Sequence, residues 1–299
     1  MKSKFTHFIT DKFSDHSRRQ SECGMTLIEL LVATTIGLIL ITMIFQFFVI
    51  QLQNFNETRM NAEMQQELRW GFNFLSDHLK LAGNGVPPTP GFRVIDNING
   101  PSGAPDSINV IGCYKSLKIT TDQHMGNHGS TVKVPSSDGV EIGDLIVISY
   151  PPNGWQEIFL VTSINANHIW HMPAPPWNDD NHLEHAYPEG SICTVVTYYS
   201  FFVDTDDEGR TNLMVQSQAY PPQVLAGDIE DFQVRFKLRD NTWVDNPLEE
   251  SDIRMMEITL RAKTPDPIKG YLDPEYGDEY KRLTLKSNVI PKNIVFVAD

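Results

Sequence analysis

The chain has 299 residues, with 24 Lys and Arg against 38 Asp and Glu, a formal net charge of −14 at pH 7. A nucleic-acid binder usually shows a basic patch or stripe, and no such cluster is present, which argues against nucleic acid as a partner. An acidic balance of this size points instead to solubility and like-charge repulsion.

Residues 1–24 hold five basic residues, Lys2, Lys4, Lys12, Arg18 and Arg19, and three acids, Asp11, Asp15 and Glu22. Basic residues ahead of an apolar span keep that end in the cytoplasm. The span opens at Gly24-Met25-Thr26-Leu27-Ile28-Glu29-Leu30-Leu31-Val32-Ala33 and reaches about Ile50, long enough to cross a bilayer. No small-x-small cleavage site follows it, so the span is expected to stay as an anchor with the rest of the chain exported. Glu29 is a lone carboxylate inside this run, where an acid costs a few kcal/mol and is read as functional. A cationic partner would offset that cost. Cleavage after Gly24 would create one, the α-amine of Met25. That amine reaches the Glu29 of a neighbouring subunit more easily than its own. The pattern therefore describes a protein that is cut and then packed helix against helix. Without residues 1–24 the chain keeps 24−5=19 basic and 38−3=35 acidic residues, a formal −16.

Gly24 to Ala33 resembles the class III signal of type IV pilins and of type II secretion pseudopilins. The resemblance implies that a membrane-embedded prepilin peptidase cuts between Gly24 and Met25 and N-methylates Met25, and that Glu29 is the assembly glutamate. Met25 stands where most major pilins have phenylalanine.

Beyond the span, Met60, Met64, Leu68, Phe72, Leu75 and Leu79 recur every three or four residues, with Asn61, Glu63, Gln65, Glu67, Asp77 and Lys80 between them. This is an amphipathic stripe at helical spacing. No proline interrupts Met25 to Val86, and Gly83-Asn84-Gly85 followed by Pro87-Pro88 supplies a stop. One helix of about 57 residues is expected at 1.5 Å rise per residue. Its 25–50 portion lies in the membrane or a fibre core, and its 51–86 portion buries its stripe on a globular domain. Many major pilins have a helix-breaking proline partway along; this chain has Gln46 there, with Gly37 and Thr42 as softer points.

From Gly91 onward, short apolar runs alternate with Gly, Pro, Asn and Asp clusters, the texture of an antiparallel sheet. Strands are expected at Ser107 to Ile111, Leu145 to Tyr150, Glu157 to Ile164, Ile192 to Val203, Phe232 to Arg239 and Ile253 to Lys263. In two of these, Phe232, Val234, Phe236 and Leu238, and likewise Met256, Ile258 and Leu260, alternate with polar residues, as in strands with one wet face. The expected fold class is α+β: a long N-terminal helix packed on a C-terminal antiparallel β-sheet domain over 87–299.

Three later segments resemble the PilW family of type IV pilus minor pilins. They are Leu79-Lys80-Leu81-Ala82-Gly83 at the helix end, Leu225 to Phe236, and the tail Leu283 to Asn293, with Lys292 where that family has arginine. The J-type minor pseudopilin of type II secretion shares these traits and is the alternative. The PilW resemblance implies a structural subunit that joins other minor pilins and the major pilin at a fibre tip, through the inner-membrane pilus assembly platform. It also implies a single inner-membrane span with a periplasmic head before assembly. Helical fibres grow by head-to-tail contacts, and a bulky head is easiest to place at an end. A fibre-displayed binding module, for a surface or for DNA, is the reading from a different class.

Cys23 leaves with the leader, and Cys113 and Cys193 remain. In an oxidising periplasm a disulfide between them is expected, with two separate buried thiols as the alternative. Asp204, Asp206 and Glu208 before Gly209 resemble the start of a calcium loop. The twelfth position is Val215 where an EF-hand needs glutamate, so a solvated hairpin turn is the favoured reading and calcium the alternative. His168, His171, His182 and His185 share a segment with Asp179, Asp180 and Glu184. The His182–His185 spacing suits zinc, but four nearby prolines make this a loop. No Gly-x-Ser-x-Gly, phosphate-cradling or His-Glu-x-x-His pattern occurs, so no enzyme is expected.

Overall fold

The computed structural model describes residues 25–87, 92–126, 129–177 and 182–295. Residues 1–24, with Cys23 and Gly24, lie outside the described residues, as do Asp179 and Asp180. The chain divides into two compact units, one ending at Phe55 and one beginning at Asn56. The helix α1 (Leu27–Lys80) continues through that division without a break for 54 residues, passing Gly37 and Gln46 as regular helix.

In the first unit every large apolar side chain from Met25 to Phe55 is exposed. The hydroxyls of Thr34, Thr35 and Thr42 donate back to helix carbonyls three or four residues earlier, at 2.8–3.0 Å. No polar side-chain group of these threonines therefore needs an outside partner, which suits an apolar surrounding.

In the second unit α1 buries Met60, Met64, Leu68, Gly71, Leu75 and Leu79, the face its periodicity foretells. Phe72 is half-buried at the margin. The helix stops where Gly83 and Gly85 take φ of +70° and +73°, a left-handed geometry that glycine adopts without strain. Gly83 N donates to Ile111 O at 2.9 Å, and Asn84 Nδ2 donates to Cys113 O at 2.7 Å. The helix end is thereby tied to the sheet.

The strands are β1 (Ile95–Ile98), β2 (Ser107–Gly112), β3 (Lys118–Thr120), β4 (Thr131–Lys133), β5 (Leu145–Tyr150), β6 (Trp155–Leu160), β7 (Ser163–Asn165), β8 (His168–Trp170), β9 (Ile192–Thr205), β10 (Thr211–Ser217), β11 (Gln223–Ala226), β12 (Ile229–Leu238), β13 (Trp243–Val244), β14 (Ile253–Lys263) and β15 (Arg282–Val289), followed by the short α2 (Lys292–Val295). They form an eight-stranded sheet, β1-β2-β9-β10-β11 with β3, β5 and β6 joined beside β9, a four-stranded sheet β13-β12-β14-β15, and a three-stranded sheet β4-β8-β7. The pairings are antiparallel. The fold is a long apolar N-terminal helix followed by an antiparallel sheet domain.

The 14-residue β9 organises the head. Its first half pairs with β3 and β5, and its second half pairs with β2 and β10. Two hydrophobic cores result. On β5, Leu145 and Val147 enter the core under α1, while Ile146 and Ile148 enter a second core with Val132, Phe159, Ile169, Tyr187 and Cys193. Successive side chains of a strand point to opposite faces, so a strand between two cores reads as an unbroken apolar run. Buried Asp106 joins two sheets: its carboxylate accepts Val234 N at 2.8 Å and Gly100 N at 3.0 Å, and its own N donates to Phe232 O at 2.7 Å. Arg282 secures the connection from β14 to β15 by bonding both oxygens of Asp278 at 2.7 Å and Glu230 Oε1 at 2.7 Å.

Two expectations need correction. The run Glu157 to Ile164 is not one strand. It breaks at Val161 and Thr162, whose amides donate to Asp144 O and Trp170 O at 2.9 Å, so the chain leaves the large sheet and enters the three-stranded one. The disulfide is also absent: Cys113 and Cys193 are both free, buried thiols. Strand alternation is the reason. Cys193 packs in the second core, while its neighbour Thr194 faces the other way and lies with Cys113 around Gly85. A Cβ placed on Gly85 would sit 3.1 Å from Cys113 Cβ and 3.5 Å from Thr194 Cγ2. The two thiols thus occupy opposite faces of β9.

The N-terminal helix as candidate assembly site

The helix begins with a reciprocal pair of side chains. Thr26 is the residue before the first helical position. Its backbone N–H and its hydroxyl both donate to Glu29 Oε2 at 3.0 Å, and its Oγ1 in turn accepts Glu29 N at 3.3 Å. This is a capping box, in which a Thr and a Glu three residues on satisfy donors left without helical partners. A carboxylate here also lies at the positive end of the helix dipole. Glu29 thus has an internal role that its isolation in an apolar run does not reveal. The missed signal is short and local: Thr26-x-x-Glu29. Both bonds from Thr26 fall on Oε2, and an ionised carboxylate has acceptor sites for further donors.

Met25, Ile28, Glu29, Val32, Ala33 and Ile36 line one open face of this first stretch. Met25 is 63% exposed and Leu27 83%. The most apolar 18-residue window of α1 has a mean hydropathy of 2.4, and none of it is buried within the chain. An apolar surface of this extent marks a membrane or protein contact. Chemically the site offers one anion, held in a fixed position, in a surface that water does not favour.

The acidic turn has a different occupant from the one its resemblance suggests. It is the hairpin between β9 and β10, in which Thr205 pairs with Thr211. Asp206 accepts Arg210 N at 2.8 Å, Glu208 N at 3.0 Å, and Arg210 Nε and Asn212 Nδ2 at 3.2 Å. Glu208 pairs with Arg210 Nη2 at 2.9 Å, and Asp204 accepts Thr205 N at 2.8 Å. Arg210 pairs with Asp206 and Glu208 inside the turn, and the segment is the hairpin turn rather than a calcium loop.

The histidines do not converge either. His168 stacks on Trp170, His171 is buried against Phe159, and His185 bonds Glu157. Among the described residues no group of three or more His, Cys, Asp or Glu side chains comes together in a way that could hold a metal ion. Glu157, from outside the His-rich segment, is the partner that sequence reading missed.

Residues 19–45 match a family model described as the prokaryotic N-terminal methylation motif. No curated protein matches the chain. Among solved structures the chain is similar to a type IV-like pilin from Thermus thermophilus, at 12% identity over 77% of this chain and 96% of that chain, with a TM-score of 0.37.

Proposed function

We propose that this chain is a minor pilin of the PilW type, a non-enzymatic subunit that helps prime or cap a type IV pilus. The observation that carries the reading is Glu29, one carboxylate in an otherwise uncovered apolar helix, four residues beyond the amine that a cut after Gly24 would create. The methylation motif over residues 19–45 supports that cut and the N-methylation of Met25. In this reading the chain first sits in the inner membrane with its head in the periplasm. It is then processed by a prepilin peptidase and leaves the bilayer as apolar helices of other minor pilins and the major pilin replace lipid around residues 25–55. Glu29 takes the amine of an adjacent subunit, which neutralises both charges in an apolar setting.

The test is mass spectrometry of the N-terminus of protein purified from its native envelope, together with a Glu29→Gln variant. The expected results are an N-methylated Met25 and a loss of at least about tenfold in fibre yield, with unchanged cleavage. A chain that still begins at Met1, or a variant that assembles normally, overturns the reading. Immunogold label against the head should gather at fibre ends. Even labelling along the shaft would remove the tip position.

A further inference from the structure

Residues 182–187 lie across β6, and one carboxylate makes their hydrogen bonds to that strand. Glu157 Oε2 accepts Glu184 N at 2.7 Å, and Glu157 Oε1 accepts His185 N at 3.1 Å and lies 2.9 Å from His185 Nδ1. Leu183 and Tyr187 are buried in the second core, and Tyr187 O accepts Met125 N at 2.8 Å. The His185 ring covers Trp155, with centroids 4.8 Å apart.

Beside this latch sits His171. It is fully buried, its ring centroid lies 4.9 Å from that of Phe159, and its backbone N donates to Ser130 O at 3.1 Å. Neither ring nitrogen makes a hydrogen bond of good geometry among the described residues. A neutral imidazole can be accommodated this way at modest cost. An imidazolium cannot, because it would bury a charge with at most the Gly129 carbonyl beside it to accept one of its two donors. The groups facing His171 are Glu157 from β6, which favours the charged form; His182 from the latch, which opposes it; and the Gly129 carbonyl from the stretch before β4, which favours it. Burial outweighs these and pushes the His171 pKa down.

We propose that this cluster is an acid-operated latch: protonation of His171 frees residues 182–187 from Glu157 and uncovers Trp155 and Tyr187. A base whose folded pKa is depressed leaves stability intact above its unfolded pKa, about 6.5, and lost as pH falls below it. The segment best placed to open toward His171 is the one whose hydrogen bonds to β6 all fall on a single carboxylate.

Hydrogen exchange of the full chain in detergent, read by mass spectrometry at about pH 7.5 and about pH 5 and corrected for intrinsic rates, tests this. In the wild type, protection of the Glu184 and His185 amides should fall at least about tenfold on acidification. His171→Phe should keep its protection at both pH values, and Glu157→Ala should lack it at both. Equal wild-type protection at the two pH values, or the same acid loss in His171→Phe, overturns the proposal. A measurement needing no variant is the NMR titration of the His171 ring: its midpoint should coincide with that of the exchange, and a ring neutral throughout the transition also overturns it.

Discussion

Thr26 and Glu29 satisfy each other at the first turn of α1: two donors of Thr26 lie 3.0 Å from Glu29 Oε2, and the Thr26 hydroxyl oxygen accepts Glu29 N at 3.3 Å. The carboxylate is therefore aimed before any partner arrives. Loss of a cap of this kind costs about 1 kcal/mol of helix stability. Its larger consequence in an apolar setting is a carboxylate free to change rotamer.

Thr26→Val should therefore leave leader removal intact yet lower fibre yield several-fold, while Thr26→Ser, which keeps the hydroxyl, should assemble as wild type. Quantitative blotting of sheared fibres against cell-associated protein reads the ratio. Equal yields for Val and Ser would show that the threonine hydroxyl does not position Glu29.

Gly71 is a point of close approach between α1 and the sheet. A Cβ there would lie 3.0 Å from Ala226 Cβ and 3.2 Å from Leu213 Cδ2. Two effects oppose each other in Gly71→Ala. Helix propensity gains about 1 kcal/mol, while overpacking a well-filled core costs about 1–3 kcal/mol. The neighbouring Cβ belongs to a short side chain on sheet backbone and cannot swing aside, so the cost should win. We expect Gly71→Ala to lower the urea midpoint slightly and Gly71→Val to lower it clearly. An unchanged midpoint for Val would mean that the helix can shift outward freely.

The parts of this architecture legible in the sequence are those with period and length. The stripe Met60, Met64, Leu68, Leu75 and Leu79 marks the buried face of α1, and Phe232 to Phe236 and Met256 to Leu260 mark central strands of the four-stranded sheet. Strands such as β10 and β11 escape because their polarity is mixed and the pair Pro221 and Pro222 breaks the pattern between them. The division of β5 and β9 between two cores was hidden because both faces are apolar, so alternation vanishes. At the site, residue types pointed to Glu29, but not to its bond with Thr26. The disulfide expectation failed, and the calcium alternative went unfilled, for a shared reason. Sequence places like residues near one another, but only the fold shows that Arg210 already fills the acidic turn and that Cys193 faces away from Cys113.

The mature chain should carry two titratable thiols and no disulfide. Alkylation in denaturant without reductant should add two labels to chain beginning at Met25, and reductant should leave its melting temperature unchanged. Burial pushes the Cys193 thiol up to about 12, so labelling of the folded protein at neutral pH should be slow at that position. Cys193→Ser would place a hydroxyl among Ile148, Val195 and their neighbours and should cost about 1–3 kcal/mol, whereas Cys193→Ala should cost less. Two residues resistant to alkylation without reductant would restore the disulfide.

Glu250 governs a separate pH response. Its Oε1 accepts Ile95 N at 2.6 Å, while Arg93 Nη2 donates to Pro247 O and Leu248 O at 3.2 and 3.1 Å and Asn97 Nδ2 donates to Asp245 O at 2.9 Å. The segment 245–250 thus straps β1 to the head. Burial raises the Glu250 carboxyl to about 7, against backbone donors and Arg93 that pull it down. A carboxyl that binds its proton more tightly folded than unfolded contributes stability that is full below about pH 4.5. That contribution declines as pH rises toward about 7, by at most about 3 kcal/mol. Glu250→Gln keeps an acceptor for Ile95 N and has no charge to bury. Its urea midpoint should change less than the wild type's between about pH 5 and about pH 8, and it should be the more stable of the two at the upper end. Parallel midpoints across that window would show that the strap tolerates the charged carboxylate, with Arg93 and the backbone donors compensating fully for its burial.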